Sequence, residues 1–300
     1  MNEFKSGFVS IIGRTNVGKS TLINLLAEEK VSIMVNKPQT TRTAIKAIIN
    51  RENSQIIFVD TPGIHKPKTK LGQTMIDTAF GEIKEVDGVL FVIEATSNEI
   101  GPGDRRILEK IKEANKKTIL IINKIDLVKK EKLLGLIKLY QEEYDFEAVI
   151  PVCSTSQKYR NVILDEVEKI LKPGPMYYEE DEYTDQTGRQ LAEEIIREKA
   201  LKLLDEEVPH GLYIEIEKFE NSVTNKGEEI YNIEAIIYCE KKSHKGIIIG
   251  KDGAMLRRIG TYARQDIEKM MGAKVNLKTW VKVREEWQEN DTIVKRFKAN

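Results

Sequence analysis

The chain has 300 residues, 40% of them hydrophobic and 32% charged, and its 48 basic side chains balance 48 acidic ones. This length exceeds what one ordinary core needs and predicts two domains. No run approaches the roughly 20 apolar residues of a spanning helix, which excludes a protein built of such helices. Cys153 and Cys239 lack metal-ligand spacing, so we expect buried free thiols in a reducing compartment. Residues 1–7 lack the apolar stretch of a signal peptide, and we therefore expect a cytoplasmic protein.

The first 170 residues alternate short apolar runs with amphipathic stretches. The apolar runs are nearly continuous in Ile, Val and Leu, which is typical of strands in a sheet covered on both faces. These predicted strands are 7–13, 55–60, 88–95, 117–123 and 148–154, and the main helical patterns between them are 19–29, 104–115, 130–143 and 161–171. The run 43–50 is separated from the next strand only by "RENS", which predicts a hairpin. We therefore predict an α/β fold with a mostly parallel sheet and one antiparallel edge strand.

A segment with two prolines and an acidic run, residues 173–187, predicts a linker between a first domain, 1–172, and a second domain, 188–300. The second domain has an α+β pattern, with helices at 188–206 and 253–271, a short helix before "GKDG", and strands at 212–219, 230–239 and 274–283. Residues 241–300 carry 15 basic and 7 acidic side chains. This basic surplus favours a polyanionic partner.

The motif "GRTNVGKST" follows the first strand and opens the first helix. It matches the P-loop pattern, in which glycines let backbone N–H groups curl around phosphate oxygens and the helix N-terminus adds positive potential. Lys19 can bridge the β- and γ-phosphates, and the Ser20 hydroxyl can ligate magnesium. The predicted nucleotide-binding residues here are Gly13, Arg14, Thr15, Asn16, Val17, Gly18, Lys19, Ser20 and Thr21.

A second phosphate-side motif, "DTPGI", ends the strand at 55–60 about 40 residues after the P-loop. We predict that the Asp60 carboxylate serves the magnesium ion and that Gly63 offers its backbone N–H to the γ-phosphate. The other predicted nucleotide contacts in this loop are Thr61, Pro62 and Ile64. Either Thr40 or Thr41 can complete the magnesium coordination, and we take Thr41 as the candidate ligand. Lys19, Thr41 and Gly63 form the predicted catalytic set.

The motif "NKID" at residues 123–126 predicts guanine selectivity. The Asp126 carboxylate can accept two hydrogen bonds from the guanine N1–H and exocyclic amine, and an adenine base would leave this buried carboxylate unpaired. We expect Asn123 and Lys124 to tie loops together and to pack over the base. The loop "CSTS", which includes Ser154 and Thr155, can offer a backbone N–H to the guanine O6. GTP or GDP is therefore the predicted nucleotide.

The chain resembles the Era group of translation-factor-related GTPases. The resemblance rests on "GRTNVGKST", "PQTTRT", "DTPGIH", "NKID", "YYEEDEYTDQ", "EIIREKAL", "EEVPHG" and "GIIIGKDGAMLRRIG", and it covers nearly the whole chain. It implies a Ras-like GTPase domain followed by a type II KH domain, and a role in maturation of the small (30S) ribosomal subunit through RNA near the 3′ end of 16S rRNA. Thr155 stands where the group usually has alanine, but the expected contact uses the backbone.

The stretch "GIIIGKDGAMLRRIG" carries the predicted RNA contacts. Gly250 and Gly253 permit a tight turn between two helices that brings the backbone close to a sugar–phosphate chain, as KH domains do. The candidate RNA-binding residues are Gly250, Lys251, Asp252, Gly253, Arg257 and Arg258. We expect a monomer that binds small-subunit ribosomal RNA in a nucleotide-dependent way.

Ile64 occupies the position at which well-known GTPases carry a water-orienting glutamine. We predict a slow intrinsic GTPase, because most phosphoryl-transfer catalysis is positioning and charge stabilisation. The resemblance also suggests that Asn16 helps to hold a potassium ion. Two alternatives stay open. One is an RNA chaperone whose bound nucleotide is structural, and the other is a membrane-associated GTPase that regulates growth with its basic end on anionic lipid.

Overall fold

The computed structural model describes residues 3–35, 41–64, 67–206, 208–223 and 227–297. It divides into two compact units, the first comprising the described residues up to Asp185 with 295–297, and the second comprising Gln186–Val294. Most of the predicted linker, 173–187, therefore belongs with the first unit. Within the described ranges, none of the helices combines the length and apolar character that a bilayer crossing requires.

The first unit is a sheet with helices on both faces. Its elements are β1 Lys5–Ile12, α1 Lys19–Ala27, β2 Ile45–Arg51, β3 Ser54–Asp60, α2 Lys70–Glu85, β4 Gly88–Glu94, α3 Pro102–Ala114, β5 Lys117–Asn123, α4 Lys130–Glu143, β6 Ala148–Pro151, α5 Arg160–Ile170 and β7 Lys172–Pro173. The strand order is β2-β3-β1-β4-β5-β6. Only the β2–β3 pair of this path is antiparallel, which confirms the predicted edge strand. The two-residue β7, antiparallel to β1, was not predicted.

Because side chains alternate between the two faces of each strand, the sheet has one hydrophobic core on each face. Successive side chains of β1 point to opposite faces, so that Ile11 packs with α1 and α5 while Ile12 packs with α2, α3 and α4. All seven residues of β3 are buried. Because β1, β3, β4 and β5 are parallel, their carboxyl ends lie at one edge of the sheet, where open α/β sheets place ligands.

The acidic segment after β7 covers the outer sheet edge instead of spanning open solvent. The Gln55 side chain holds it: Oε1 accepts hydrogen bonds from the Tyr177 and Tyr178 N–H groups at 2.7 and 3.1 Å, and Nε2 donates to the Tyr178 carbonyl at 2.8 Å. The Ile48 N–H donates to the Tyr183 carbonyl at 3.0 Å. This segment thus satisfies backbone groups that an edge strand would otherwise expose.

The second unit packs helices on one face of a three-stranded sheet. Its elements are α6 Gly188–Leu203, β8 Tyr213–Val223, β9 Glu229–Cys239, α7 Lys242–Ile249, α8 Ala254–Met271, β10 Lys274–Val283 and α9 Asp291–Val294. The strand order is β10-β9-β8, with β9 antiparallel to β8 and parallel to β10. The predicted elements agree with these bounds to within one residue, except that β8 continues four residues past its predicted end at 219 and α6 stops three residues before its predicted end at 206. After β10, the fully buried Trp287 donates to the Gly211 carbonyl at 2.9 Å.

Candidate functional site

A cavity of about 300 Å³ opens at the carboxyl edge of the first unit's sheet, beside the N-terminus of α1. P-loop residues form much of its lining. The lining residues are Thr15, Asn16, Gly18, Lys19, Ser20, Thr21, Ile33, Met34, Val35, Thr41, Gly63 and Lys124. The lining therefore includes residues of the P-loop, the "DTPGI" loop and the "NKID" motif. Other predicted nucleotide-site residues lie outside the lining, among them Asp60, Asn123, Asp126, Ser154 and Thr155.

The P-loop glycines are required by close contacts. A Cβ at Gly13 would overlap the Val92 carbonyl oxygen, and one at Gly18 would overlap the Asn123 side-chain nitrogen. Gly18 also has a φ of 100°, a conformation that favours glycine. Asn16 adopts a left-handed backbone with a φ of 64°, and its side chain is exposed. The loop is thus held tightly between β4 and the "NKID" loop.

Lys19 is buried, with 6% of its surface exposed, and its ammonium group points back into the P-loop. Its Nζ donates to the carbonyl oxygens of Gly13 and Arg14 at 3.1 and 2.9 Å. Burial lowers the pKa of Lys19 to about 8, against the opposing influence of the Asp60 carboxylate. A cation held in this way is placed to meet an anionic ligand in the cavity.

Four oxygen-bearing side chains converge on one point beside Lys19. The Asp60 Oδ2 accepts hydrogen bonds from the hydroxyls of Ser32, Thr41 and Ser20 at 3.0, 3.3 and 3.4 Å, and the Ser20 and Thr41 hydroxyls are 3.0 Å apart. Burial raises the pKa of Asp60, while Lys19 opposes this shift. The Asp60 Oδ1 is buried and has no hydrogen-bond partner among the described residues. This all-oxygen set, with an unsatisfied carboxylate oxygen, fits a magnesium ion.

The sequence did not identify Ser32 as part of this cluster. The Asn24 side chain places it, because its Oδ1 accepts from the Ser32 N–H at 2.9 Å and its Nδ2 donates to the Ser32 carbonyl at 2.7 Å. No motif marks this serine in the sequence. Thr40, the alternative to Thr41, lies outside the described residues.

The "DTPGI" loop is anchored to the core by its ends. Thr61 is fully buried, and its hydroxyl donates to the Ile11 carbonyl at 2.8 Å. Ile64 is 3% exposed and belongs to the core on the α2 face, and its N–H donates to the Gly13 carbonyl at 3.1 Å. A Cβ at Gly63 would lie 2.9 Å from Thr15 and 3.1 Å from the Lys19 Nζ. Pro62 is also buried, so larger side chains would not fit on the inner side of the loop.

The "NKID" and "CSTS" loops are joined to the P-loop by Asn123. Its Nδ2 donates to the Val17 carbonyl at 2.9 Å, and its Oδ1 accepts from the Ser154 N–H at 3.0 Å. The Lys124 Nζ donates to the Asn16 carbonyl at 2.7 Å. These contacts agree with the loop-tying expected of Asn123 and Lys124.

One expectation about the guanine loops needs correction, and a second is narrowed within the "CSTS" loop. The Asp126 side chain is exposed, not buried, because it follows the strand on a short 3₁₀ turn, Ile125–Leu127. A bound base would have to cover it. The Ser154 N–H is already donated within the protein, and the Ser156 N–H donates to the Cys153 carbonyl at 2.9 Å. Thr155 is exposed at the tip between them.

The second unit carries the "GKDG" turn between α7 and α8. Gly250, Asp252 and Gly253 all have positive φ angles, of 71°, 51° and 76°. A Cβ at Gly250 would lie 2.8 Å from the Met255 Cβ. Lys251 and Asp252 project from the turn and are exposed. The turn thus presents one cation, Lys251, and one anion, Asp252, to solvent.

Arg257 and Arg258 lie in the first turns of α8, and both are exposed. The Arg258 guanidinium lies over the Tyr262 ring, 5.7 Å from its centroid. Arg264 is engaged differently, because its Nη1 donates to Glu268 at 2.8 Å. Arg257 and Arg258 are therefore better placed than Arg264 to reach a ligand at the turn.

Comparisons with known proteins agree with this geometry. A family profile described as 50S ribosome-binding GTPase matches residues 8–124, and one described as KH domain matches residues 207–288. The chain is 50% identical to GTPase Era of Clostridium kluyveri (strain ATCC 8527) over 98% of both chains. It is 48% identical to GTPase Era of Thermoanaerobacter sp. (strain X514), over 98% of this chain and 96% of that one.

Solved structures extend the similarity to three dimensions. A crystal structure of Era in complex with MgGDPNP and nucleotides 1506–1542 of 16S ribosomal RNA aligns with a TM-score of 0.92 and 37% identity, over 99% of this chain and 100% of that one. A variant of Aquifex aeolicus Era bound to GDP·AlF4⁻ aligns with the same TM-score and 36% identity over the same shares. Full-length similarity of this kind shows that the chain belongs to the Era family of GTPases.

Proposed function

We propose that this chain is a GTP-hydrolysing, RNA-binding assembly factor of the small (30S) ribosomal subunit, which binds near the 3′ end of 16S rRNA. One observation carries the proposal: a P-loop cavity and a "GKDG" turn occur in one chain that matches, almost end to end, an Era structure with MgGDPNP and 16S rRNA. The bound rRNA fragment in that relative favours the small subunit as the site of action.

Guanine recognition would come from three loops. The Asp126 carboxylate would accept hydrogen bonds from the guanine N1–H and exocyclic amine, and Lys124 would pack over the base. The Thr155 N–H would donate to O6, since its neighbours Ser154 and Ser156 use theirs within the protein. Asn123 keeps these loops in register with the P-loop.

Phosphate binding would use the P-loop backbone and Lys19. The N–H groups at the start of α1 would surround the β-phosphate, where the helix dipole favours negative charge. The Lys19 ammonium would then exchange carbonyl partners for phosphate oxygens and stabilise charge that develops during hydrolysis. Gly63 would contribute its backbone N–H close to the same ammonium.

Ser20, Thr41 and Asp60 would hold magnesium. When bound, magnesium neutralises negative charge on the phosphates. The Ser20 and Thr41 hydroxyls both donate to the Asp60 carboxylate, so contacts within the protein hold these oxygens close together. Ser32 supports Asp60 from the side.

Hydrolysis would proceed without a side chain at position 64 to orient water. Ile64 is buried in the core, where it anchors the loop. The attacking water would therefore be held by backbone groups near Thr41 and Gly63, and we expect a slow intrinsic rate that an ion or RNA partner raises.

Potassium is the proposed ion, with Asn16 as one of its ligands. Asn16 is exposed beside the cavity, and Lys124 holds its carbonyl in a fixed place. The GTPase rate should be several-fold higher in potassium chloride than in sodium chloride at equal ionic strength. The advantage should fall in an Asn16→Ala variant. Equal rates in the two salts would remove potassium from the proposal.

Coupled RNA and nucleotide binding tests the proposed function. We expect affinity for an RNA spanning the 3′ end of 16S rRNA to differ at least several-fold between the GTP-analogue and GDP complexes, because the γ-phosphate orders segments that contact it. Fluorescence anisotropy with labelled RNA would measure both affinities. A Lys251→Glu variant should lose RNA binding and keep nucleotide binding, as a control.

Identical RNA affinity in both nucleotide states would instead favour the RNA chaperone with a structural nucleotide. The remaining alternative keeps the protein in the cytoplasm but adds peripheral binding to the membrane through its basic end. Co-flotation with anionic vesicles that persists at physiological salt would favour this membrane role, and loss of flotation in salt would count against it.

A further inference from the structure

Asp104 is a buried carboxylate that the proposed mechanism does not use. It lies in the first turn of α3, is fully buried, and places its Oδ2 3.1 Å from the Nε of Arg14 in the P-loop. Burial raises the pKa of this carboxyl, and the positive charge of Arg14 opposes that shift. A buried charge is costly unless it is paired, and Arg14 is the positive group that pairs with Asp104 here, while the Tyr140 hydroxyl also favours the charged carboxyl.

The Arg14 side chain is enclosed on several sides. Its Nη2 donates to the Ser97 hydroxyl at 3.2 Å and lies 4.0 Å from the Glu94 carboxylate. Its aliphatic stem runs against Gly103, where a Cβ would lie 2.8 Å from the Arg14 Cδ and 3.2 Å from its Cγ. Asp104, Glu94 and the bare backbone at Gly103 together fix where this side chain lies.

The backbone of Arg14 contributes directly to the phosphate side of the cavity. Its carbonyl oxygen accepts the hydrogen bond from the Lys19 Nζ at 2.9 Å. The Arg14 backbone also forms a parallel β-bridge with Ile64, at the end of the "DTPGI" loop. A shift of Arg14 would therefore move both the catalytic lysine and the loop that carries Gly63.

The same contacts continue to the guanine side. The Glu94 carboxylate lies 2.9 Å from the Lys124 Nζ, and that ammonium also donates to the Asn16 carbonyl. Charged contacts thus run from Asp104 through Arg14 and Glu94 to Lys124. They join α3 to both ends of the nucleotide cavity.

We propose that Asp104 is a positioning residue for nucleotide binding and hydrolysis, which acts by holding Arg14 and, through its backbone, Lys19 and the "DTPGI" loop. The inference rests on the proposed function, because it concerns the same cavity. Its physical basis is that small displacements of groups that position a substrate cost large factors in rate.

Two variants displace Arg14 by different means. Asp104→Asn keeps the shape of the side chain but removes the charge that attracts the guanidinium. Gly103→Ala leaves Asp104 intact and inserts a methyl group against the Arg14 stem, in a helix where alanine is favoured over glycine. In both variants we expect the dissociation rate of a fluorescent GDP analogue to rise about tenfold, and kcat for GTP to fall by a similar factor.

A matched control separates the proposed effect on positioning from a general loss of stability. Ile111→Ala removes a fully buried side chain from the same helix without touching Arg14, and should lower the melting temperature with less than a twofold effect on GDP dissociation. The effects of Asp104→Asn and Arg14→Gln on dissociation should also be non-additive, since both break one contact.

The outcomes are distinct. No binding of guanine nucleotide by the unchanged chain would refute the proposed function itself. Normal binding by that chain, with a dissociation rate of Asp104→Asn within twofold of it, would refute the positioning role alone, whatever the rate of Gly103→Ala. Equal acceleration by Ile111→Ala would also refute it. Gly103→Ala keeps the test decisive if Asp104→Asn fails to fold.

Discussion

An Asp126→Asn variant should lose about 100-fold in affinity for GTP and GDP and gain affinity for xanthine nucleotides, because a buried unpaired donor or acceptor costs about 1–3 kcal/mol. In the proposed complex, guanine presents two donors to this position, its N1–H and its exocyclic amine. A carboxylate accepts both, whereas an asparagine amide has one oxygen and one nitrogen that is itself a donor. Xanthine carries a carbonyl oxygen in place of the amine, and so it pairs with the amide nitrogen.

Competition against a fluorescent GDP analogue, with GTP, XTP and ATP as competitors, would measure this change. Asp145→Asn offers a matched control, because Asp145 is an exposed aspartate of the same unit away from the motifs. The control should keep guanine selectivity. Unchanged selectivity in Asp126→Asn would mean that another group reads the base. Because Asp126 is exposed in the structure, the variant should fold as stably as the unchanged chain.

Strands and glycine-rich motifs were predictable because each has a characteristic pattern of neighbouring residues in the sequence. Strands buried on both faces are nearly continuous apolar runs, and β3 and β4 follow that pattern to within a residue or two. The P-loop glycines are fixed by spacing, and the structure gives the reason in the contacts that would meet a Cβ at Gly13 and Gly18. Local patterns therefore located the cavity and most of its lining.

The unpredicted parts of the site depend on contacts between residues far apart in the chain. Ser32 reaches Asp60 across 28 residues, and Asp104 reaches Arg14 across 90, without periodicity or a motif to reveal either contact. Gln55 similarly holds the segment around Tyr178, which composition alone marked as a linker. The prediction that Asp126 is buried was wrong for a related reason, since the sequence does not show which face of a short turn is exposed to solvent.

The structure also explains why isoleucine stands at position 64, where well-known GTPases carry glutamine. A glutamine side chain at this position would have to leave the core to orient water, whereas the isoleucine side chain packs in the α2-face cluster. The residue type is therefore explained by packing. In the proposed function, catalysis then depends on the groups that line the cavity, where Lys19 is a buried cation.

Replacing Lys19 with alanine should lower kcat for GTP by about 100- to 1,000-fold, the usual effect of removing one preorganised charge-stabilising group. Nucleotide affinity should fall as well, because the ammonium is proposed to bridge phosphates in the bound state. The variant should stay folded, since the lost group is a desolvated cation whose pKa burial lowers to about 8. Single-turnover hydrolysis at saturating GTP would separate the loss in kcat from weaker binding.

A Lys19→Arg variant tests whether charge alone is sufficient. The Lys19 Nζ lies near the carbonyls of Gly13 and Arg14, with the position of a Gly63 Cβ only 3.1 Å away, and a guanidinium is larger and planar. We therefore expect arginine to recover less than a tenth of the lost rate. A rate close to that of the unchanged chain in Lys19→Ala would show that the P-loop amides carry the catalysis, and such a rate in Lys19→Arg would show that positive charge alone is sufficient. A low kcat for GTP in both variants would show that hydrolysis requires a compact ammonium group at this position.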